Sequence, residues 1–177
     1  MFSLPLAAQD AAENRGGAGN DALDAMYAQL RTAPEDEARR LGKEIRHILS
    51  QSGSPTMNLL LKRGRSALER GDTQRAIQHL TALTDHAPEF AEGWHARSVA
   101  YARAGLIGPA LGDLERALTL DPRNFAALFS LAALLEQIDQ LDLAQEAYNR
   151  VLTIHPYFED VTTALERLNA QLGGTDI

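Results

Sequence analysis

The sequence predicts an all-α fold, an α-solenoid of three similar helix hairpins with further helices at both ends. Three observations carry that reading. Pro88, Pro122 and Pro156 are spaced 34 and 34 residues apart in a chain with only 7 prolines. Small and bulky residues recur in the same register between them. The 177 residues are 45% apolar, 23% charged and only 6% aromatic, which suits helices packed through small and aliphatic side chains. A chain of this length buries one core without staples.

The columns of the period each have a physical reason. Leu60, Trp94 and Leu128 align, as do Gly64, Ser98 and Ala132, then Ala67, Tyr101 and Leu135. Further on, Ala76, Ala110 and Ala144 align, followed by Leu80, Leu114 and Tyr148, then Leu83, Ala117 and Val151. Such self-similarity marks a repeat architecture. Trp94, Ser98 and Tyr101 are spaced i, i+4, i+7, so they share a helix face. The small residues at Gly64, Ser98 and Ala132 let a second helix approach, and the alanine column does the same from the opposite side. Gly71 and Gly105 suit a turn residue of positive φ, with Asp139 a tolerated substitute. Each proline ends its second helix, because the residue before it is pushed out of the α region. The repeats are 57–90, 91–124 and 125–158, within a region 54–158.

The ends depart from the period. Residues 21–53 read as a helical hairpin. Leu23, Met26, Tyr27 and Leu30 line its first helix, and Pro34 opens the second with Glu35, Asp36 and Glu37 in the first turn. Leu41, Ile45, Ile48 and Leu49 form the expected buried stripe. Pro34 shortens the first helix, so this hairpin reads as a cap rather than a degenerate repeat. Residues 159–177 supply a closing helix with an apolar stripe of Val161, Leu165, Leu168 and Leu172, as a solenoid end requires. Residues 1–20 read as disordered. Within them, Leu4 to Gln9 resembles the tail of a secretory signal but lacks a basic region and a full apolar run. Two alternatives stay open: a remnant of an export signal, which would place the chain in the periplasm, or an ordinary loose terminus.

Composition excludes several functions. The formal charge is −7, and residues 125–177 hold two basic against eight acidic residues, whereas 57–90 hold five against four. Such a surface repels phosphate, so no nucleic-acid partner is expected. No segment has the roughly 20 apolar residues of a membrane span. There is no cysteine, hence no thiolate chemistry and no disulfide framework. The five histidines show no i, i+4 zinc pair, and no phosphate loop, nucleophile elbow or paired-carboxylate motif occurs. No enzyme activity, metal or cofactor is expected. His86 and His155, just before their prolines, read as cations suited to helix C-termini. Arg39, Arg40, Lys43 and Arg46 form a basic cluster that reads as a solvated face with i, i+4 partners.

The run Trp94, Arg97, Ser98, Tyr101, Ala110, Leu114, Ala117 and Pro122 resembles the tetratricopeptide repeat (TPR). The third repeat keeps Leu128, Leu131, Ala132, Ala144, Tyr148 and Pro156, while the first has Leu60 and Ala67 for the usual aromatics. The resemblance implies a right-handed superhelix whose first helices line a concave, protein-binding groove. Arg63 and Arg97 stand where the family has leucine, which implies a wetter seam. The implied groove columns are Asn58, Leu61, Arg65, Leu68 and Glu69, then Glu92, His95, Val99, Ala102 and Arg103, then Ala126, Phe129, Ala133, Glu136 and Gln137. Leu61, Val99 and Phe129 read as apolar anchors for an extended or helical peptide. Leu61, Ala96, Ala126 and Ser130 replace clamp residues of the TPR co-chaperones, so a chaperone-tail clamp is not expected. The expected function is a non-catalytic scaffold for a protein or peptide, monomeric or weakly dimeric. The alternative is a self-associating component of the cell envelope, with Tyr157 and Phe158 as exposed contacts.

Overall fold

The computed structural model describes residues 21–173. The segment 1–20, with its signal-like stretch, lies outside the described residues. Helix α1 covers 21–30 and α2 covers Glu35–Leu49. Three hairpins follow: α3 (Pro55–Glu69) with α4 (Thr73–His86), α5 (Ala91–Arg103) with α6 (Ile107–Leu120), and α7 (Phe125–Gln137) with α8 (Leu141–Ile154). Helix α9 (Glu159–Gly173) closes the order, and the described residues contain no strand.

The period is written into the backbone. Gly71, Gly105 and Asp139 turn each hairpin at φ of 76°, 73° and 62°. Behind each, the amides of Asp72, Leu106 and Gln140 donate to Ala67, Tyr101 and Leu135 carbonyls at 2.9 Å. A left-handed residue followed by this bond satisfies carbonyls that a helix end leaves unpaired. Asp72 and Asn124 cap their helices by accepting from the amides of Arg75 and Ala127 at 3.1 and 3.0 Å.

Close approach makes each hairpin compact. A Cβ on Gly64 would lie 2.5 Å from the Leu80 side chain, so the glycine leaves room for Leu80 to seat against α3. Ala76, Ala110 and Ala144 are fully buried, as are Leu80, Leu114 and Tyr148. Successive hairpins then stack, α4 on α5, α6 on α7 and α8 on α9, with α3, α5 and α7 side by side.

Two features of the stack correct the sequence reading. The seam at Arg97 is not wet. Its side chain is 12% exposed, donates twice to Asp113 at 2.7 and 2.8 Å and once to Thr84 at 2.8 Å, and lies over the Trp94 and Tyr101 rings. At the same register Arg63 is exposed. Repeat one differs in other ways too. Gly93, Ala96 and Ala100 are buried where α4 meets repeat two, whereas repeat one has Leu59, Lys62 and Ser66 in those columns. Leu59 is 45% exposed. Repeat one therefore forms an exposed end of the stack itself, with Lys62 and Ser66 beside Leu59 on its outer face.

The N-terminal hairpin sits at the opposite end. Tyr27, Leu30, Ala38, Leu41 and Ile45 share one buried core with α7, α8 and α9 rather than with repeat one. Helix α2 begins beside α9, where Arg39 pairs with Glu159 at 3.3 Å. It passes over His155 at Gly42, whose Cβ would lie 2.5 Å from the imidazole Nε2. It ends near α3, where Ser52 and Asn58 hydrogen-bond. Helix α1 adds an ion pair from Arg123 to Asp24 at 2.7 Å and a cation–π contact of Arg123 over Tyr27 at 4.4 Å. The hairpin thus ties the first repeat to the C-terminal helix. Ile48 is exposed, and Ala38 and Gly42 take its expected place in the buried stripe.

His155 is also not the helix-end cation expected. It is buried under α2 with Phe125 and Phe158 packed edge-on against it. Burial, reinforced by Arg46, pushes its pKa below the usual range, so the ring is neutral at neutral pH. Phe158, expected as an exposed contact, is half-buried against Phe125 and Phe129.

Two outcomes follow. Asp113→Leu strands a buried guanidinium and costs about 3–5 kcal/mol in urea unfolding, while Arg97→Leu with Asp113→Leu regains most of that loss. His155 has a depressed folded pKa, so below about pH 6.5 the unfolded state takes the proton first. Unfolding midpoints therefore fall as pH drops below that value, and His155→Leu flattens the slope.

Candidate functional site

The face formed by α5, α7 and α9 carries a trough of two adjoining hollows. The first, about 290 Å³, lies between α5 and α7 and is lined by Val99, Ala102, Phe129 and Ala133 over a floor of Leu114 and Leu134. The second, about 1030 Å³, lies between α7 and α9. Its walls include Glu136, Tyr148, Asp160, Thr163 and Arg167. Phe129, Ala133 and Gln137 line both hollows, so the two adjoin across α7. Phe129 is held by Tyr148 and Phe158, with ring centroids 5.8 and 5.3 Å away.

The near end of the expected groove is shut. Leu61 is 2% exposed, and Leu68 is buried beside it, so neither presents an anchor to a partner. Asn58 is occupied by the linker, with Ser52 amide and hydroxyl donating to it at 2.8 and 2.7 Å. Arg65 pairs with Glu92, which is only 6% exposed. His95 bridges onward, with Nδ1 3.4 Å from Glu92 and Nε2 3.0 Å from the Ser130 hydroxyl. That hydroxyl lies 3.1 Å from the Ala126 carbonyl, to which it donates. Nε2–H is then the donor to Ser130, an assignment made from the surrounding acceptors. Burial works to raise the Glu92 carboxyl, but His95, Arg65 and Asn124 together outweigh it and hold it below its usual range. This polar row stitches α3, α5 and α7 together.

The remaining groove columns stay open. Arg103 is exposed and donates to the Leu68 carbonyl at 2.9 Å. Ala133, Gln137 and Glu69 are exposed, Val99 and Ala102 half-buried, and Ala126 packs beside Phe129 in the C-terminal core. Glu136 accepts from Arg167 at 2.9 and 3.0 Å and from the Tyr148 hydroxyl at 3.0 Å. Burial and then Glu136 push the Tyr148 phenol well above its usual range. The Tyr148 hydroxyl is therefore a fixed donor in the trough floor.

The sequence reading missed the α9 wall. The signal was present: adding 34 to the repeat-three columns Ala126, Phe129 and Ala133 gives Asp160, Thr163 and Arg167. Helix α9 occupies the place of a fourth repeat's first helix and contributes the same face. Among the described residues no group of three or more histidine, aspartate or glutamate side chains could hold a metal ion. No described helix is long and apolar enough to cross a membrane.

Family models described as tetratricopeptide repeat match residues 61–108 and 113–146. A TPR repeat-containing protein of Rhizobium etli is 30% identical over 162 residues, covering 91% of this chain and 79% of the relative. Among solved structures, the first TPR of Spaghetti (RPAP3), bound to the HSP90 peptide SRMEEVD, matches with a TM-score of 0.65 and 24% identity, over 68% of this chain and 95% of that one. The Sgt2 TPR domain from Aspergillus fumigatus matches at 0.64 and 23% identity, over 68% and 81%. The backbone period, the two matched segments and a bacterial relative aligned over most of both chains agree: the chain belongs to the tetratricopeptide-repeat proteins.

Proposed function

We propose that this chain is a non-catalytic scaffold that holds an extended or helical segment of another protein in the trough formed by α5, α7 and α9. The observation that carries this reading is that two adjoining hollows share Phe129 and Ala133 as lining. Such a trough offers a bulky apolar anchor with polar groups around its rim, the composition of a peptide-binding hot spot. The binding residues are then Val99, Ala102, Arg103, Phe129, Ala133, Glu136 and Gln137, joined by Asp160, Thr163 and Arg167. Asn58, Leu61, Arg65, Glu92 and His95 serve the fold beside it. The structural neighbour with a bound HSP90 peptide supports peptide capture by this architecture. The clamp positions Leu61, Ala96, Ala126 and Ser130 argue for a different ligand here.

Self-association through Tyr157 and Phe158 has less support, because Phe158 is taken up by the aromatic cluster under α2.

The test is comparative capture. Immobilised wild-type chain, Val99→Glu with Phe129→Glu, and Ala133→Trp are each exposed to extract of the native organism, and captured proteins are quantified by mass spectrometry. Ala133 is exposed, so tryptophan there fills the trough without disturbing the core. A set of proteins lost from both variants, with circular dichroism unchanged for Ala133→Trp, is the expected result. An identical captured set from all three overturns the trough.

A further inference from the structure

In repeats two and three the first helix packs against the second helix of the repeat before it, α5 on α4 and α7 on α6. At the first of these seams Leu83 fills the space beside Gly93, and Arg97 reaches back to Thr84 at 2.8 Å. Among the described residues no second helix precedes repeat one in this way, because α1 and α2 share their core with the far end. The matching columns of α3 hold Leu59 and Arg63, which border a hollow of about 450 Å³ lined by α3 and α4. Its lining carries the cations Lys62, Arg63, Arg70 and Arg75, the His79 imidazole and no carboxylate. Arg75 is partly matched by Asp72 at 3.4 Å. Lys62, Arg63 and Arg70 are exposed, and among the described residues none has an acid within ion-pair distance. Glu69 lies outside the lining, in the groove column of Arg103 and Gln137. The register shows what this face lacks. Arg97 finds Asp113 on its own hairpin, and the same two columns of repeat three are the uncharged Leu131 and Ala147. Repeat one has Arg63 and His79 there, so its own hairpin supplies that guanidinium with no carboxylate.

We infer that this end of the stack docks an acidic amphipathic helix of a partner protein, laid where a preceding second helix would lie. An apolar residue of that helix sits on Leu59, and its carboxylates reach Lys62, Arg63 and Arg70. The hollow shares no lining residue with the trough. Leu59 is 45% exposed and shares one side of α3 with the cations, since positions 59, 62, 63, 66 and 70 follow helical spacing. These positions run roughly 16 Å along the axis, so the occupant needs about three turns of its own. A hollow of one sign concentrates ligands of the other, and the exposed leucine gives the contact an apolar centre. Leu59 and Lys62 stand where repeat two has Gly93 and Ala96, so the occupant rests on side-chain ends rather than against backbone. Such a seat suits a reversible contact. A second copy fits less well. Its acidic end presents α9, the counterpart of a first helix, whereas this seat takes a second helix.

The probe is a phage-displayed library of random hexadecapeptides, depleted on the Lys62→Gln, Arg63→Gln double variant and then selected on the full wild-type chain. Depletion removes peptides that bind elsewhere. Survivors are synthesised with a fluorescein label and titrated by fluorescence anisotropy. The expected consensus has aspartate or glutamate at three- and four-residue spacing beside an apolar residue, and the peptide gains helical circular dichroism on binding. Lys62→Gln, Arg63→Gln and Arg70→Gln each weaken binding about two- to fivefold, as exposed ion pairs do. Leu59→Ala weakens it about fivefold through lost apolar contact. All four side chains are exposed, so urea midpoints of these variants stay near the wild-type value. Added salt weakens binding to the wild-type chain, and Ala133→Trp leaves it unchanged. A consensus without acids, or no peptide that survives depletion, overturns the inference. So does equal binding by a peptide of the same composition whose acids and apolar residue no longer share a helix face, because the hollow is then a solvated patch that attracts any anion. Binding lost in Ala133→Trp puts the peptide in the trough and overturns it too. Light scattering that grows with concentration and is abolished by Lys62→Gln with Arg63→Gln makes a second copy the occupant, against the proposal.

Discussion

The structure depends on how closely two helices of one hairpin can approach. A TPR hairpin has few large side chains, so most of its stability comes from backbone proximity and the dispersion contacts that proximity permits. Gly64 against Leu80 is the clearest case, with no space for a Cβ. Ser98 and Ala132 repeat the small residue, and Leu114 and Tyr148 the large one, all of them buried. The left-handed turn at Gly71, Gly105 and Asp139 brings the second helix back in the right place for this contact. Once one hairpin is fixed, its buried alanines set the spacing of the next, and the hollows between α5, α7 and α9 follow from that spacing.

The terminal elements solve the problem that a repeat stack leaves open. A solenoid has two ends with no neighbour, and each must be made compatible with water. At the first end, repeat one has Leu59, Lys62 and Ser66, exposed or half-buried, where repeat two has the small buried residues Gly93, Ala96 and Ala100. At the other, α9 covers repeat three with Val161, Ala164 and Leu168. The N-terminal hairpin adds a non-local tie. Its small face, Ala38 and Gly42, lies over an aromatic group of Phe125, His155 and Phe158. A neutral histidine fits that setting, whereas a charged one would carry an uncompensated desolvation cost.

Charge is divided in the same way between fold and surface. Arg97 with Asp113 and Arg65 with Glu92 lie in seams between helices, where a lost partner leaves a charge in a poor environment. They serve as fixed positions in the stack. Asp139 and Asp160, by contrast, are exposed on the rim of the trough.

Much of this was legible in the residues. Local geometry repeats every 34 positions, so the prolines, the alanine column and the turn glycines determined the hairpins, their order and the face of each first helix. Extended by one more period, the same register also marks Asp160, Thr163 and Arg167 on α9. Tertiary structure decided the rest. Whether Leu61 is an anchor or core, and whether Arg97 is wet or buried, depends on which neighbours close over it, not on its own helix. Where α1 and α2 dock is likewise a long-range matter, since an apolar stripe such as Leu41 and Ile45 specifies burial without naming its partner. Periodicity is a property of the chain, whereas burial is a property of pairs of surfaces. Only the folded stack shows which surfaces have met and which part of the concave side remains open.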